Sequence, residues 1–540
     1  MGSLSAALWW LSSLPEAMRF RAALGSPREV QERLLKATLR RNRDTAFGRA
    51  AGFASVRNSD DYRKRIPIRS WEELSPWANR VAWGESNVLT RSPVRVLQPT
   101  GGSTAGAKLI PFTRELSREF RAGVAPWLVD LARRYPAVRT GSAYWSLSPV
   151  EPGVRGFTTD AEALGGTWSR LIGRACVVPS VVRFAPDLAS FRYLTLLYLL
   201  RRRDLAFVSV WHPSFLTALL DSLPDALGTL LADIARGGCS VVRELCGRPL
   251  PYLPPLPARA AELRASRIEE PRSLWPRLAV VSCWGDGHSA LALDQLRGRL
   301  RGMTVQPKGL LATEAVVTVP FAGLRPIAIR SHFFEFLPEG ETERSCRVDE
   351  LEAGVRYSVV VTTGGGLYRY RLDDVVEVEG AVGATPALRF LGRGGCVSDL
   401  RGEKLAEAFV ARAVAGAFRS IGLVPSFVLL APAKGSSSLE ERERSAHYEL
   451  FFDSARAAEP ADFPLLEGAA ESELSRNPQY RAARSLGQLG PVKAHFVPGS
   501  EAAYLERCLA GGQRLGEIKS LALSPHSDWG AFFASLAPRL

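Results

Sequence analysis

The sequence predicts an α/β fold in which a large N-terminal α/β domain is followed by a small C-terminal α+β domain. Three observations carry that expectation. The chain has 540 residues, more than one hydrophobic core supports. Through its middle, short apolar runs alternate with helical periodicity, the pattern of a sheet with helices on its faces. After about residue 398 the order becomes helix, strand, strand, helix, strand, helix, which describes a separate small domain. The boundary falls in the glycine-rich stretch Gly392-Arg393-Gly394-Gly395, giving domains 1–394 and 395–540.

Residues 1 to about 95 read as mostly helical, with 4–14 as an amphipathic helix packed on the body and 31–39 in clear helical periodicity. A strand-like run at 94–98 leads into the densest Gly/Ser/Thr loop of the chain. Residues 144–147, 205–210, 278–283 and 357–362 read as strands; 188–200, 214–220 and 291–300 read as helices. The prolines of 249–257 mark a surface connection. In the small domain the expected elements are a helix at 403–418, strands at 427–430 and 447–452, a helical region at 467–484, a strand at 492–497 and a helix at 501–509. Residues 434–445 form a polar loop of low complexity.

Composition excludes several classes. Hydrophobic residues make up 46% and charged residues 23%, which rules out a mainly disordered, collagen-like or coiled-coil chain. The net charge of +14 reflects 61 arginines against 8 lysines, but the longest basic run is only Arg201-Arg202-Arg203. No nucleic-acid reading module is present, so no nucleic-acid partner is expected. No segment reaches the length of apolar sequence a spanning helix needs, and the N-terminus lacks a basic n-region, so no membrane insertion is expected. Cys176, Cys239, Cys246, Cys283, Cys346, Cys396 and Cys508 are scattered and form no C-x-x-C. That fits reduced thiols in a cytoplasmic protein and argues against a zinc site.

Five motifs carry chemistry. Pro99 to Lys108 reads PTGGSTAGAK and is followed by Leu109-Ile110-Pro111. Glycines let backbone N–H groups approach phosphate oxygens, and Ser103 and Thr104 add hydroxyls. The spacing is not that of a Walker A loop, because Ala107 precedes Lys108 and Leu109 follows it. Leu311-Ala312-Thr313-Glu314 ends an apolar run in a hydroxyl and a carboxylate, oxygen donors suited to Mg²⁺. Tyr368-Arg369-Tyr370-Arg371-Leu372-Asp373-Asp374 ends in acids that can accept ribose hydroxyls, but taken alone reads more readily as a half-exposed antiparallel strand with a turn at Asp373-Asp374. Gly392-Arg393 and then Glu403-Lys404 suit a hinge whose arginine clamps a phosphate. Gly516-Glu517-Ile518-Lys519 places one of the scarce lysines near the C-terminus.

In this order and spacing the motifs resemble those of the GH3 acyl acid amido synthetases, members of the adenylate-forming (ANL) superfamily, over nearly the whole chain. Residues 102–111 are similar to the family's phosphate loop, and Leu311 to Glu314 to its second nucleotide motif. Residues 368–374 are similar to its Tyr-Arg-x-Gly-Asp motif, 392–404 to its hinge, and Asn477, Tyr480, Arg484, Gly512, Gln513 and Lys519 to the pattern around its C-terminal lysine. The resemblance implies ATP and Mg²⁺ as cofactors, with a small-molecule carboxylic acid and an amino acid or other amine as partners. The acid is adenylated and pyrophosphate released; the amine then takes the acyl group and AMP leaves. A mobile C-terminal domain closes over the site between the two steps.

The resemblance assigns nucleotide contacts to Gly102, Ser103, Thr104, Gly106, Lys108, Thr313, Asp374 and Arg393, metal binding to Glu314, and catalysis to Lys519, Lys404 and Glu314. Trp284 and His288 are candidate substrate contacts, and His212 and His288 candidate acceptor-side bases, although His288 reads more readily as a hydrogen-bonded turn histidine; Trp127, Tyr144, Trp168, Trp211 and Trp284 could line an apolar pocket but read first as core packing. Asp373 stands where the family usually has glycine, adding charge near the ribose and altering the turn. A thiol acceptor, coenzyme A or a carrier protein, is the alternative second step; a non-catalytic nucleotide-binding homologue is the alternative class.

Overall fold

Four short strands form one parallel sheet in the order Ser142–Trp145, Leu205–Ser209, Val280–Cys283, Thr304–Pro307, the last of them, TVQP, not legible in the sequence. Every residue of Leu205–Ser209 and Val280–Cys283 is buried. Two covered faces explain why these strands read as continuous apolar runs and not as alternating ones. The helix Leu188–Leu200 is capped by Asp187, which accepts the Ser190 N–H at 2.7 Å, and is buried almost all round. Among the described residues no single helix is long and apolar enough to cross a membrane. Among the described residues Cys239, Cys246, Cys283, Cys346 and Cys508 are free thiols.

The computed structural model describes residues 2–100, 108–147, 149, 160–286, 289–394, 397–433, 446–511, 513, 518 and 520–536. They form two units. The larger comprises Met1–Gly285, Leu296–Leu372 and Val376–Phe390; the smaller comprises Asp286–Gln295, Asp373–Val375 and Leu391–Leu540.

A second, antiparallel sheet runs Thr385–Arg393, Tyr370–Val382, Arg356–Thr362, Phe333–Pro338. Arg356–Thr362 was legible as a strand, and so was the half-exposed antiparallel start of Tyr370–Val382, but the turn expected at Asp373-Asp374 lies within that strand. The strand Tyr370–Val382 does alternate between buried and half-buried residues over most of its length. Its inward positions include Asp374, however, so hydropathy alone hides the period.

This sheet is tied to the N-terminal helices by a buried ion pair. Arg369 Nε and Nη2 donate to the two Glu335 oxygens at 3.0 and 2.9 Å, and both side chains are at most 2% exposed. The remaining guanidinium hydrogens go to Arg63 O (2.8 Å), Ile66 O and Ser345 Oγ (2.9 Å). Arg369 itself has φ +50°, and its N–H is held by Thr362 Oγ1 at 3.0 Å. Arg69 then pairs with the strand on either side of Tyr370, donating to Arg369 O and accepting from the Arg371 N–H.

The smaller unit has a three-stranded sheet, Pro425–Pro432, Tyr448–Ser454, Lys493–Phe496, antiparallel then parallel. Leu430, Leu450 and Phe452 point to one side, under the helices Glu407–Ser420, Asp462–Leu474 and Pro478–Ser485. Phe427, Leu429 and Phe451 point to the other, under Ser500–Ala510 and Trp529–Ala534.

Two expected helices differ. The one expected at 403–418 begins at Glu407, because Lys404 has φ +46° and Leu405–Ala406 pairs with Val397–Ser398. The region 467–484 is two helices, interrupted where Asn477 caps the second and Pro478 cannot continue the first.

Replacing Arg369 with Met should strand the Glu335 carboxylate in the core and cost about 3–5 kcal/mol in chemical denaturation. A loss no larger than a surface arginine gives would mean the pair is not what fixes this region.

Candidate active site

The Gly/Ser/Thr loop connects Val96–Thr100 to Lys108–Phe112, which pair antiparallel with Thr100 opposite Lys108. Gly102, Ser103, Thr104 and Gly106 lie outside the described residues. Lys108 is described: its Nζ donates to Tyr370 Oη at 3.1 Å. The lysine of the first motif is thus coupled to the third motif through one phenol. Beyond the strand, Thr113 caps the helix Arg114–Arg134. Its Oγ1 accepts the Leu116 N–H at 3.1 Å and donates to Gly364 O at 2.8 Å.

Thr313 and Glu314 sit in a turn that leaves the carboxyl end of Thr304–Pro307. Leu311 and Val316 pair antiparallel across it, and Ala312 N–H meets Ala315 O at 2.9 Å. Gly309 lies so close to Thr318 that a Cβ would stand 2.1 Å from its carbonyl oxygen, which closes the base of this hairpin. Glu314 is buried. Among the described residues no three His, Cys, Asp or Glu side chains cluster as a metal cage. A single hard carboxylate beside a phosphate ligand is the donor set Mg²⁺ uses, so Glu314 fits that ion.

Asp374 and Arg393 belong to the smaller unit. Asp374 is 2% exposed, and Arg393 Nε stands 3.5 Å from its Oδ1. Among the described residues that oxygen accepts no hydrogen bond, leaving acceptor capacity for a hydroxyl. Asp373 has φ +61°, and its carbonyl accepts the Gly394 N–H at 2.7 Å. Aspartate here takes the left-handed conformation that glycine adopts most readily.

Of the two candidate lysines, Lys519 lies outside the described residues and Lys404 is exposed. Lys404 follows a turn fixed by Glu403, which is fully buried and accepts the Leu400 and Arg401 N–H groups, both at 2.7 Å. Asn477, Tyr480 and Arg484 are structural. Asn477 Oδ1 caps the helix Pro478–Ser485, while Tyr480 and Arg484 hold the two oxygens of Glu471, each at 2.9 Å.

Trp211 and Trp284 lie just past the carboxyl ends of adjacent parallel strands, where open α/β sheets bind ligands. Trp284 N–H donates to Trp211 O at 2.8 Å and the rings are 5.8 Å apart. Lys308 reaches the same edge. It is buried, donates from Nζ to Val210 O at 2.7 Å and lies 5.1 Å from the Trp211 ring. Neither its burial nor its place was legible in the sequence.

Trp127 and Tyr144 are core residues, and Trp168 is half-buried. Burial pushes the neighbouring Cys283 thiol up to about 12. His212 caps the helix Pro213–Asp221, its Nδ1 accepting the Ser214 N–H and lying 2.7 Å from Ser214 Oγ. That engages one ring nitrogen of a candidate base. His288 lies outside the described residues.

This fold is that of the acyl acid amido synthetases. It matches the solved structure of GH3.15 acyl acid amido synthetase with a TM-score of 0.80, over 95% of this chain and 94% of that one, at 21% identity. The GH3 family N-terminal domain matches residues 16–304 and the GH3 family central domain residues 326–393. The chain belongs to the GH3 family. It is 26% identical to a probable indole-3-acetic acid-amido synthetase, GH3.12, of Oryza sativa subsp. japonica, over 91% of this chain and 90% of that protein. It is 24% identical to jasmonoyl--L-amino acid synthetase JAR4 of Nicotiana attenuata, over 89% and 86%.

Asp373→Gly should leave the melting temperature unchanged or raise it. Asp373→Val should cost about 1–2 kcal/mol, the penalty for a left-handed β-branched residue. A valine variant as stable as the parent would show that the backbone relaxes there.

Proposed function

We propose that this chain is an ATP-dependent acyl acid amido synthetase: it adenylates a small carboxylic acid and passes the acyl group to an amine, an amino acid above all. The observation that carries this reading is the match of both GH3 domains over the segments that bear Lys108 and Asp374, with Glu314 between them. The relatives are named for indole-3-acetic acid and jasmonoyl conjugation, and one solved relative holds 2,4-DB, which supports an organic acid as first substrate. Free cysteines support a reducing, cytoplasmic setting.

The reaction makes definite demands. A carboxylate oxygen attacks the α-phosphorus of ATP, the bond to the bridging oxygen breaks, and pyrophosphate leaves with the electron pair. Two anions must approach, so positive charge and N–H donors have to be in place beforehand. In this reading residues 102–106 hold the β- and γ-phosphates and Lys108 adds charge at the end of that loop. Thr313 supplies a hydroxyl to the phosphates. Asp374 accepts the ribose hydroxyls and Arg393 steadies that carboxylate. Lys519 is the cation for the attacking carboxylate and the α-phosphate, and Lys404 is the second candidate. Glu314 would hold Mg²⁺, which when bound neutralises phosphate charge. In the second step the amine nitrogen attacks the acyl carbonyl and AMP departs. Trp284 and His288 are then candidate contacts of the acyl and acceptor side.

Pyrophosphate release from ATP, measured across aryl, indolyl, jasmonate-like and fatty acids with amino acids pooled, tests the reading. Acid-dependent release supports it, and replacing the pool with coenzyme A separates an amine from a thiol acceptor. ATP binding without release for any acid would favour a homologue without chemistry.

Lys519→Ala should cut adenylation about 100-fold while a supplied acyl-adenylate is still consumed. Equal loss of both half-reactions would remove Lys519 from that role.

A further inference from the structure

Glu119 lies near the start of the helix Arg114–Arg134 and belongs to none of the five motifs. Its carboxylate accepts the Gly364 N–H with both oxygens, at 3.0 and 2.8 Å, and stands 2.9 Å from His332 Nδ1. The His332 side chain is 0% exposed, and its Nε2 accepts the Val316 N–H at 3.1 Å. A backbone N–H can only donate. Nε2 is therefore unprotonated, and the ring proton sits on Nδ1 and is donated to Glu119. The imidazole is neutral, with its tautomer fixed at both ends.

Each end of this relay reaches a nucleotide motif. Val316 is paired across the turn that presents Thr313 and Glu314. Gly364 opens the turn that leads to residues 368–374, and its carbonyl is held by Thr113, the cap residue of the same helix. One helical turn after Glu119, Gly123 brings the helix against Val316 directly: a Cβ there would stand 2.7 Å from the valine Cβ. The helix that follows the phosphate loop thus grips the backbone of both other motifs through one carboxylate, one imidazole and one missing side chain.

We propose that Glu119 and His332 are positioning residues of the nucleotide site, holding the backbone of the Thr313–Glu314 turn so that the Glu314 carboxylate is set to receive Mg²⁺ with ATP. Carboxylate–imidazole pairs commonly orient metal ligands from behind. Here the pair acts through a backbone N–H. This rests on the nucleotide reading above.

Calorimetric titration of the full chain with ATP, with and without Mg²⁺, tests it without any need for turnover. Glu119→Gln is nearly isosteric, but its amide N–H₂ turned toward Nδ1 would force the other tautomer and set Nε2–H against the Val316 N–H. It should raise the Mg²⁺ needed for half-saturation about tenfold. Metal-free ATP binding should change less than about twofold, and the change should add nothing in a Glu314→Gln background. His332→Gln keeps one acceptor and one donor and should stay within about threefold of the parent, whereas His332→Leu should show about the tenfold loss. A packing role would favour leucine over glutamine. Multiplying losses in the double variant, or parental Mg²⁺ dependence in both Glu119→Gln and His332→Leu, would overturn the proposal alone. A parent chain that binds no ATP with Mg²⁺ would overturn the nucleotide reading and this inference together.

Discussion

The architecture of the larger unit hangs on the buried ion pair between Arg369 and Glu335. Removing both charges from water is expensive, and the geometry offsets that cost only because every donor finds an oxygen. The guanidinium bonds a carboxylate, a hydroxyl and two backbone carbonyls. The energetic yield of such a pair is modest; what it supplies is position. It holds the 63–69 segment and the antiparallel sheet in one register. Tyr368 on one side of it stacks on Phe47 at 4.9 Å and donates to Leu89 O, while Tyr370 on the other meets Lys108.

Several carboxylates here, Glu403 fully buried and Glu119 and Glu471 half-buried, act on backbone. Glu119, Glu403 and Glu471 each accept backbone N–H groups from segments that would otherwise be loose turns. An ionised carboxylate offers four acceptor sites and can satisfy several orphan donors at once. Tyr448 donates to Glu403 in the same way and, with the burial, its phenol is driven well above its ordinary range. Glu314 and Asp374 differ in placement: they lie on the segments that the family motifs mark.

Much of this was legible. Continuous apolar runs marked three of the four strands of the parallel sheet, because strands covered on both faces have no polar period; Thr304–Pro307 carried no such signal. The helix 188–200 was legible to the residue, since Asp187 caps it and arginines end it. Of the strand Tyr370–Val382 only the beginning was. Its polar residues are spent on turns and ion pairs that join distant segments, and no local period announces them. Glycine at 364–366 was visible, but not its purpose: Gly364 and Gly365 admit Glu119 and Pro111 closer than a side chain would allow.

By itself the sequence determined the class of fold, the order of the motifs and the family to which they belong, because these are carried by residue type and spacing along the chain. Tertiary structure alone decided that Arg369 is a core residue and Lys108 a partner of Tyr370. It also made His212 a helix cap and brought Glu119, His332, Val316 and Gly364 into one relay. The physical reason is range. Hydropathy, glycine and proline act within a few residues, whereas a buried carboxylate chooses its donors from wherever the fold delivers them. Glu119 and His332 are 213 positions apart and 2.9 Å from contact to contact, a relation that no window of sequence contains.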